Sequence, residues 1–355
     1  MLKYGIKQQT MFLYFKPFLI AFFSSLVLTG AFIKFGNKYK LYDKLKKNKI
    51  HRRDIARFGG VAMIISFLVA IFLDGNLQFD NLKWGIVISS LVILFFGIYD
   101  DLKNLSWKKQ LLGQIIVVLI MICAGLSVDY IANPFGGAEF RLDQFHYSLF
   151  TIHYSLLGSL FILFWIVGFM NIMNWLDGLD GLAGGVGLIG AVTLFFLSVS
   201  SLVNQPPLGI VSIIFAGAIL GFLFFNFYPA KIFMGTSGSM FLGFMLAVIA
   251  IFSGGKIATA LLIMGFPILD AVWVIARRIK NKKSPFRGDK LHLHYRLLDL
   301  GWSQKKVVLF IYFICLIFGV SALAFQTAGK VLALAVLFIL MAVVVFWLEL
   351  RGEKK

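Results

Sequence analysis

Eleven apolar runs follow one another along the chain, at 17–33, 58–73, 84–99, 110–127, 155–173, 182–202, 208–225, 238–253, 257–276, 307–325 and 331–348. A helix needs ~20 apolar residues to cross the hydrocarbon core of a bilayer. The 355 residues are 60% hydrophobic and only 14% charged, against about 45–50% apolar and about 25% charged in soluble domains. A disordered chain is excluded, and one soluble core could not enclose so much apolar surface. The predicted class is an all-α polytopic membrane protein with about eleven transmembrane helices, forming a single domain over 1–355. No internal repeat or linker interrupts it. Lys3, Lys7 and Lys16 precede the first run, but a small-residue cleavage site does not follow it, so it reads as a span rather than a signal peptide. Cys123 and Cys315 both fall in apolar runs and read as small buried hydrophobes, with no disulfide framework or metal pattern.

The intervening loops sort by charge. Of the 34 Lys and Arg, 27 fall in 34–57, 100–109, 226–237, 277–306 and the tail, and seven fall on the other side. The positive-inside rule puts the 27 in the cytoplasm. The N-terminus is then outside and the C-terminus cytoplasmic, as an odd number of spans requires. The expected location is the inner (cytoplasmic) membrane, crossed many times. A net charge of +18 in such a chain points to anionic lipid headgroups and phosphorylated substrates rather than nucleic acid. A homodimer is compatible with such a chain. The outer loop 128–154 has two short β-prone stretches around Pro134-Phe135-Gly136-Gly137, which predicts a small outer β-hairpin near 128–145.

Acidic residues are scarce, and five sit in or at the ends of the apolar runs. Asp100 and Asp101 end the third, Asp177 and Asp180 lie between the fifth and sixth, and Asp270 lies in the ninth. A carboxylate at the membrane centre costs roughly 2.5–3.5 kcal/mol on insertion scales, so such residues are functional candidates by default. The topology sets the first four at one depth on the cytoplasmic face. Four carboxylates there repel one another, and a divalent cation neutralises them. Asn171, Asn174, Asp177 and Asp180 recur every third residue and share one face if the helix continues through them. Hard oxygen ligands of this kind suit Mg²⁺, with Mn²⁺ a substitute, bridging carboxylates to substrate phosphates.

Two further cytoplasmic loops carry complementary groups. The stretch from Asn226 to Ser239 is Gly-rich and hydroxyl-bearing, and it opens a helix whose free N-terminal amides suit an anion. The stretch from Ser284 to Arg296 mixes Arg287, Lys290, His292, His294 and Arg296, a composition that fits a diphosphate. No zincin-like spacing occurs, so the pattern does not predict zinc.

These marks, in this order and on this side of the membrane, resemble the polyprenyl-phosphate N-acetylhexosamine-1-phosphate transferases. They are Arg57-Phe58-Gly59-Gly60, Asp100-Asp101, the Asn174/Asp177/Asp180 segment, the Asn226–Gly238 loop and the His292 loop. The resemblance runs from about Lys38 to Ser303, with two further spans after it. It implies a membrane enzyme that moves a sugar 1-phosphate from a UDP-sugar to a polyprenyl phosphate and releases UMP. The His292 loop is similar to that of the bacterial undecaprenyl-phosphate N-acetylglucosamine (GlcNAc) branch. The phospho-MurNAc-pentapeptide translocase branch usually carries three consecutive histidines.

By resemblance, Asp100 and Asp101 lie by the lipid phosphate, with Asp100 as base. The metal set is Asp101, Asn174, Asp177 and Thr236. Gly178, Leu179, Asp180, Asn226 and Phe233 shape the uridine pocket, with Phe233 stacked on uracil. Arg287 and Arg296 bind substrate, and His292 and His294 join Asp100, Asp101 and Asp177 in catalysis. Two residues depart from the pattern. Tyr295 stands where this branch usually has a histidine. Thr236 stands where a metal-binding Asp is usual, which leaves open a weakly catalytic, substrate-binding homologue; its alternative structural role is to cap the following helix. A transporter is disfavoured, since transporter sites lie near the midplane between inverted repeats. Gly265 and Pro267 predict a bent ninth span, a lateral groove for the prenyl chain beside the bend, and Asp270 either serving the backbone groups freed there or making a helix-packing contact.

Overall fold

The computed structural model describes residues 2–40, 42–43, 55–78, 80–131, 133, 138–143, 146–149, 152–201, 203–253, 257–284 and 291–352. Among them are thirteen helices. They are α1 (Leu2–Tyr39), α2 (Gly59–Leu73), α3 (Asn81–Lys103), α4 (Trp107–Cys123), α5 (Leu156–Leu176), α6 (Leu182–Val199) and α7 (Pro206–Asn226). The remainder are α8 (Gly235–Phe252), α9 (Ile257–Ile263), α10 (Gly265–Lys280), α11 (Leu293–Asp299), α12 (Gln304–Ala324) and α13 (Thr327–Gly352). Each apolar run falls on a helix, with ends shifted by a few residues, and the ninth is shared by α9 and α10.

Among the described residues, length and composition bear out part of the eleven expected spans. Eight helices are long and apolar enough to cross a membrane, and the bent pair α9–α10 makes a ninth. At 15 and 17 residues, α2 and α4 fall short. At ~1.5 Å of rise per residue, neither covers a ~30 Å hydrocarbon core. The bend between α9 and α10 is 76°. It falls at Met264, just ahead of Gly265 and Pro267. Asp270 does not serve the backbone there; its carboxylate reaches a different segment, described below. The larger of two described cavities, ≈ 340 Å³ and apolar, lies between α2 and α3 against Ile65, Leu68, Phe72 and Leu94, away from this bend.

The bundle is organised on α8, which is nearly all buried. Its neighbours approach it backbone to backbone. A Cβ on Gly60 would lie 2.2 Å from the Gly238 nitrogen, and one on Gly97 would lie 2.3 Å from the Ser237 Cα. These glycines let the ends of α2 and α3 sit directly on the first turn of α8. Gly60→Ala is therefore expected to cost at least the roughly 1–3 kcal/mol of an overpacked core. A melting curve in detergent should show it, even though only one methyl is added. Deeper in the bundle, Phe67, Phe215 and Phe241 meet edge to face. On the far side α1 lies along α7, where the Ser25 hydroxyl donates to the Ala218 carbonyl at 2.6 Å.

Three short antiparallel ladders occur among the described residues. β3 (Tyr130–Ile131) pairs with β4 (Phe140–Arg141), and β5 (His146–Leu149) pairs with β6 (Ile152–Ser155). The Pro134–Gly137 turn lies outside the described residues. β1 (Tyr42–Asp43) pairs with β2 (Ile55–Ala56), and β2 matters for the site. Ala56 bridges to Ile232 in parallel. Phe233 N then donates to Ala56 O at 2.8 Å, and Gly59 and Gly60 N donate to the carbonyls of Phe233 and Met234 at 2.9 Å. These bonds hold Phe58 at the uncommon φ of 75° and bring Arg57 beside the start of α8. Of the two cysteines, Cys315 is buried, but Cys123 at the end of α4 is exposed, which corrects the sequence expectation.

Candidate active site

The last turn of α3 carries Asp100 and Asp101, and the helix stops just beyond at Asn104, in left-handed conformation with φ 51°. The first turn of α8 meets both carboxylates. The Thr236 backbone N–H donates to Asp101 Oδ1 at 2.9 Å, and the Thr236 hydroxyl donates to Asp100 Oδ2 at 2.6 Å. Asp100 Oδ1 accepts from the Leu105 N–H at 2.8 Å and from Gln110 Nε2 at 3.0 Å. Three donors thus hold Asp100, which is 5% exposed. Asp101 is arranged differently. Its Oδ2 is buried with no hydrogen-bond partner among the described residues. Arg57 donates from Nη1 to the Asp101 carbonyl at 2.8 Å. Gly235, at φ 74°, leaves room for the carboxylate, because a Cβ there would lie 2.4 Å from Asp101 Oδ2. The helix N-terminus expected to offer free amides is in part occupied by the protein's own anion. Thr236 sits inside α8 rather than ahead of it, so it is not the cap.

The second acidic segment is a turn, not a continued helix. α5 ends at Leu176, and Asp177 is its C-cap. Gly178 N donates to Leu176 O at 2.8 Å and Leu182 N to Leu179 O at 3.0 Å, with Gly181 at φ 78°. Asn171, Asn174, Asp177 and Asp180 therefore do not share a face. Asn171 joins α5 to α4 by donating to Gln114 Oε1 at 2.9 Å. Asn174 Oδ1 accepts from the Ser239 hydroxyl at 2.8 Å, which ties α5 to α8. Asp180 Oδ2 accepts from Ala230 N at 3.0 Å. Asn226, 2% exposed, accepts from Gly181 N at 3.1 Å and donates to Ile232 O at 2.9 Å. The Tyr312 hydroxyl of α12 donates to the Gly181 carbonyl from the other side. Leu179 is buried beneath the turn, and Phe233 is half-buried. Burial, with Asp101 and Asp180 nearby, pushes the Asp177 carboxyl well above the usual carboxylate range.

The third segment enters from α10 and α11. Asp270, buried in α10, accepts at Oδ1 from Leu293 N and pairs at Oδ2 with His292 Nδ1, both at 2.8 Å. The His292 ring lies 6.1 Å from the Trp175 ring and stacks on His294 at 5.7 Å. His294 and Tyr295 close over Gly178. A Cβ there would meet the Tyr295 hydroxyl at 2.5 Å and His294 Nε2 at 2.7 Å. Burial pushes the His294 imidazole down to about 4, so it is neutral at pH 7. Its Nε2 is buried with no hydrogen-bond partner among the described residues. Burial, and then Asp177, raise the Tyr295 phenol above its ordinary value, so it keeps its proton and remains a donor. Arg296 is half-buried in α11, and Arg287 lies outside the described residues.

The structure thus joins Asp100, Asp101, Thr236, Asn174 and Asp177 through α3, α5 and α8, and brings His294 and Tyr295 onto the same turn. Asp270, Gln110, Ser239 and Tyr312 support this arrangement, and of these the sequence marked only Asp270 as a functional candidate, without a role in the site. Asp270 carried a signal, an acid in an apolar helix, but not its partner. Tyr312 carried none, being one aromatic among many. Among the described residues, no three carboxylate, imidazole or thiolate side chains gather as a ready-made metal cage. Mg²⁺ does not need one, since it commonly takes one or two carboxylates and fills its shell with substrate phosphates and water. Asp101, with its unpartnered Oδ2 and with Asp177 within electrostatic reach, fits that mode.

Fold and site together define a multi-pass membrane protein with an acidic, histidine-flanked cluster at the ends of its helices. Residues 83–254 match the model of Glycosyl transferase family 4. The chain is 32% identical over 341 residues to the "Probable undecaprenyl-phosphate N-acetylglucosaminyl 1-phosphate transferase" of Bacillus subtilis (strain 168), covering 94% of this chain and 91% of that one. It is 33% identical to the decaprenyl-phosphate N-acetylglucosaminephosphotransferase of Mycobacterium tuberculosis (strain ATCC 25618 / H37Rv), over 81% of this chain and 74% of the relative. The phospho-N-acetylmuramoyl-pentapeptide-transferase of Staphylococcus epidermidis (strain ATCC 12228 / FDA PCI 1200) matches at 30% over 84% of this chain and 92% of its own length. The chain belongs to the polyprenyl-phosphate N-acetylhexosamine-1-phosphate transferase family.

Proposed function

We propose that the protein transfers GlcNAc 1-phosphate from UDP-GlcNAc to a polyprenyl phosphate at the cytoplasmic face of the inner membrane, and so starts a cell-envelope glycan. The observation that carries the site reading is the buried Asp101 Oδ2, without a hydrogen-bond partner among the described residues and on a carboxylate close enough to Asp177 to act on it electrostatically. The match along 94% of the chain to a relative with that printed activity supports the substrates. The GlcNAc relative matches more of this chain than the pentapeptide relative does, 94% against 84%. In this orientation α2 and α4 also cross, their shortfall in length met by local thinning of the bilayer, which makes eleven spans, and the β3–β4 ladder lies outside. The lipid phosphate at headgroup depth then meets a nucleotide arriving from the cytosol.

The reaction joins an oxygen of the lipid phosphate to the β-phosphorus of UDP-GlcNAc and breaks the bond from that phosphorus to the bridging oxygen. UMP leaves with the electron pair. The nucleophile is already anionic near pH 7, so positioning and charge neutralisation do most of the work. Asp101 and Asp177 would hold Mg²⁺, or Mn²⁺ in its place. Bound there, the ion supplies charge neutralisation and a template for the diphosphate. Asp100, with its oxygens held by three donors, is placed to orient the first turn of α8 rather than to collect a proton. Asp101 takes the role nearest the phosphates. Neutral His294 and the Tyr295 phenol, both over Gly178, contact the sugar or diphosphate, and the Asp180–Asn226 turn frames the uridine side with Phe233.

Purified protein with polyprenyl phosphate and UDP-GlcNAc is expected to release UMP. Excess chelator should stop release, and added Mg²⁺ or Mn²⁺ should restore it. Full turnover in chelator would remove the metal from this reading. Faster release from UDP-MurNAc-pentapeptide would move the protein to the other branch.

A further inference from the structure

We infer that Asp270 is a positioning residue that sets the tautomer and orientation of His292; this rests on the reading, implied by the family resemblance, that His292 takes part in catalysis. Both oxygens of one buried carboxylate are spent on a single corner of the chain. Oδ1 takes the Leu293 N–H and Oδ2 takes His292 Nδ1, each at 2.8 Å. Asp270 is 5% exposed and so is His292. A carboxylate can only accept, so the proton between it and the ring sits on Nδ1. The other nitrogen, Nε2, is left for a ligand. The buried ring is further held by its contacts with the Trp175 and His294 rings. Trp175 follows Asn174 at the end of α5, and His294 lies on Gly178, so the oriented ring belongs to the acidic site.

The arrangement accounts for an acid in an otherwise apolar helix. A carboxylate in hydrocarbon is costly unless its oxygens are satisfied, and here two donors from one loop satisfy them. The pair also fixes the depth at which the His292 loop docks. An imidazole steered by an outer carboxylate is a recurring device, and loss of such a partner typically costs roughly 10–100-fold in activity or ligand affinity.

Asp270→Asn separates steering from anchoring. The amide oxygen still accepts from Leu293 N–H, so the loop stays docked. The amide nitrogen can only donate, so His292 Nδ1 must become an acceptor and the proton moves to Nε2. The readouts are ¹⁵N-histidine NMR, with the His292 signal assigned by its loss in His292→Gln, and steady-state kinetics with UDP-GlcNAc. Wild type is expected to show the Nδ1–H tautomer, and Asp270→Asn the Nε2–H tautomer. The variant should lose roughly 10–100-fold in kcat with an unchanged melting temperature. In a His292→Gln background, Asp270→Asn should add no further loss. An Nε2–H tautomer in wild type overturns the inference and needs no variant to fold. It also falls if Asp270→Asn turns over like wild type while His292→Gln does not, or if its loss persists in full without His292. Wild-type turnover by His292→Gln would instead overturn the reading of His292 itself, and this inference with it.

Discussion

Asp101→Asn is expected to lower kcat roughly 10²–10³-fold, the usual cost of removing one group that stabilises charge in a transition state, while the melting temperature stays near that of wild type. The reason lies in how the two adjacent aspartates are used. Asp101 Oδ1 takes the Thr236 N–H, and Oδ2 takes nothing among the described residues. An amide keeps one acceptor for Thr236 and loses only the charge facing Asp177. Asp100→Asn should behave in the opposite way. Its oxygens accept from Leu105, Gln110 and Thr236. An amide oxygen can keep Leu105 and Gln110, but the Thr236 hydroxyl must turn round to accept from the amide nitrogen. All three bonds lose their charge assistance, which costs about 1–3 kcal/mol. The expected signature is a lower melting temperature with a smaller loss of kcat. Kinetics and melting curves of both variants test the division of labour; equal losses of turnover at equal stability would refute it.

The second large effect is expected at Thr236. A carboxylate placed there would face Asp100, where the hydroxyl now donates at 2.6 Å. With no cation the two acids repel; with one they share it. Thr236→Asp is therefore expected to melt lower than wild type in chelator and to recover in Mg²⁺. It should reach half-maximal turnover at roughly tenfold lower Mg²⁺, which corresponds to about 1.4 kcal/mol of added charge-assisted contact. Thr236→Ala should move the Mg²⁺ curve little and cost about 0.5–1.5 kcal/mol of stability for one lost hydrogen bond. Mg²⁺ titrations beside melting curves check both. An Asp variant that binds Mg²⁺ no better than wild type, by titration calorimetry as well as by rate, would show that this position does not address the ion.

The helices were legible because hydropathy alone specifies them. Gly265 and Pro267 marked the bend because a proline inside a helix leaves few alternatives. The length of α2 and α4 was not legible, because an apolar run shows composition but not where its caps fall. The motif segments were readable as separate marks, yet their connections were not. The three-residue spacing from Asn171 to Asp180 suggested one helical face, and the turn at Gly178 and Gly181 broke it. Thr236 invited comparison with a metal ligand or a cap, but the contact that matters joins residues 136 apart in the chain. Asp270 announced itself as an acid in an apolar helix, and its partner 22 residues later depends on how α10 and α11 pack.

The most direct measurement of the central claim follows a phosphorus atom. UDP-GlcNAc carrying ³²P in its β-phosphate is mixed with polyprenyl phosphate, Mg²⁺ and the purified protein, and the lipid and aqueous phases are separated. Transfer of GlcNAc 1-phosphate carries the label into the lipid and leaves unlabelled UMP in the water. Label that stays in the aqueous phase, whether as UDP or as unreacted substrate, contradicts it.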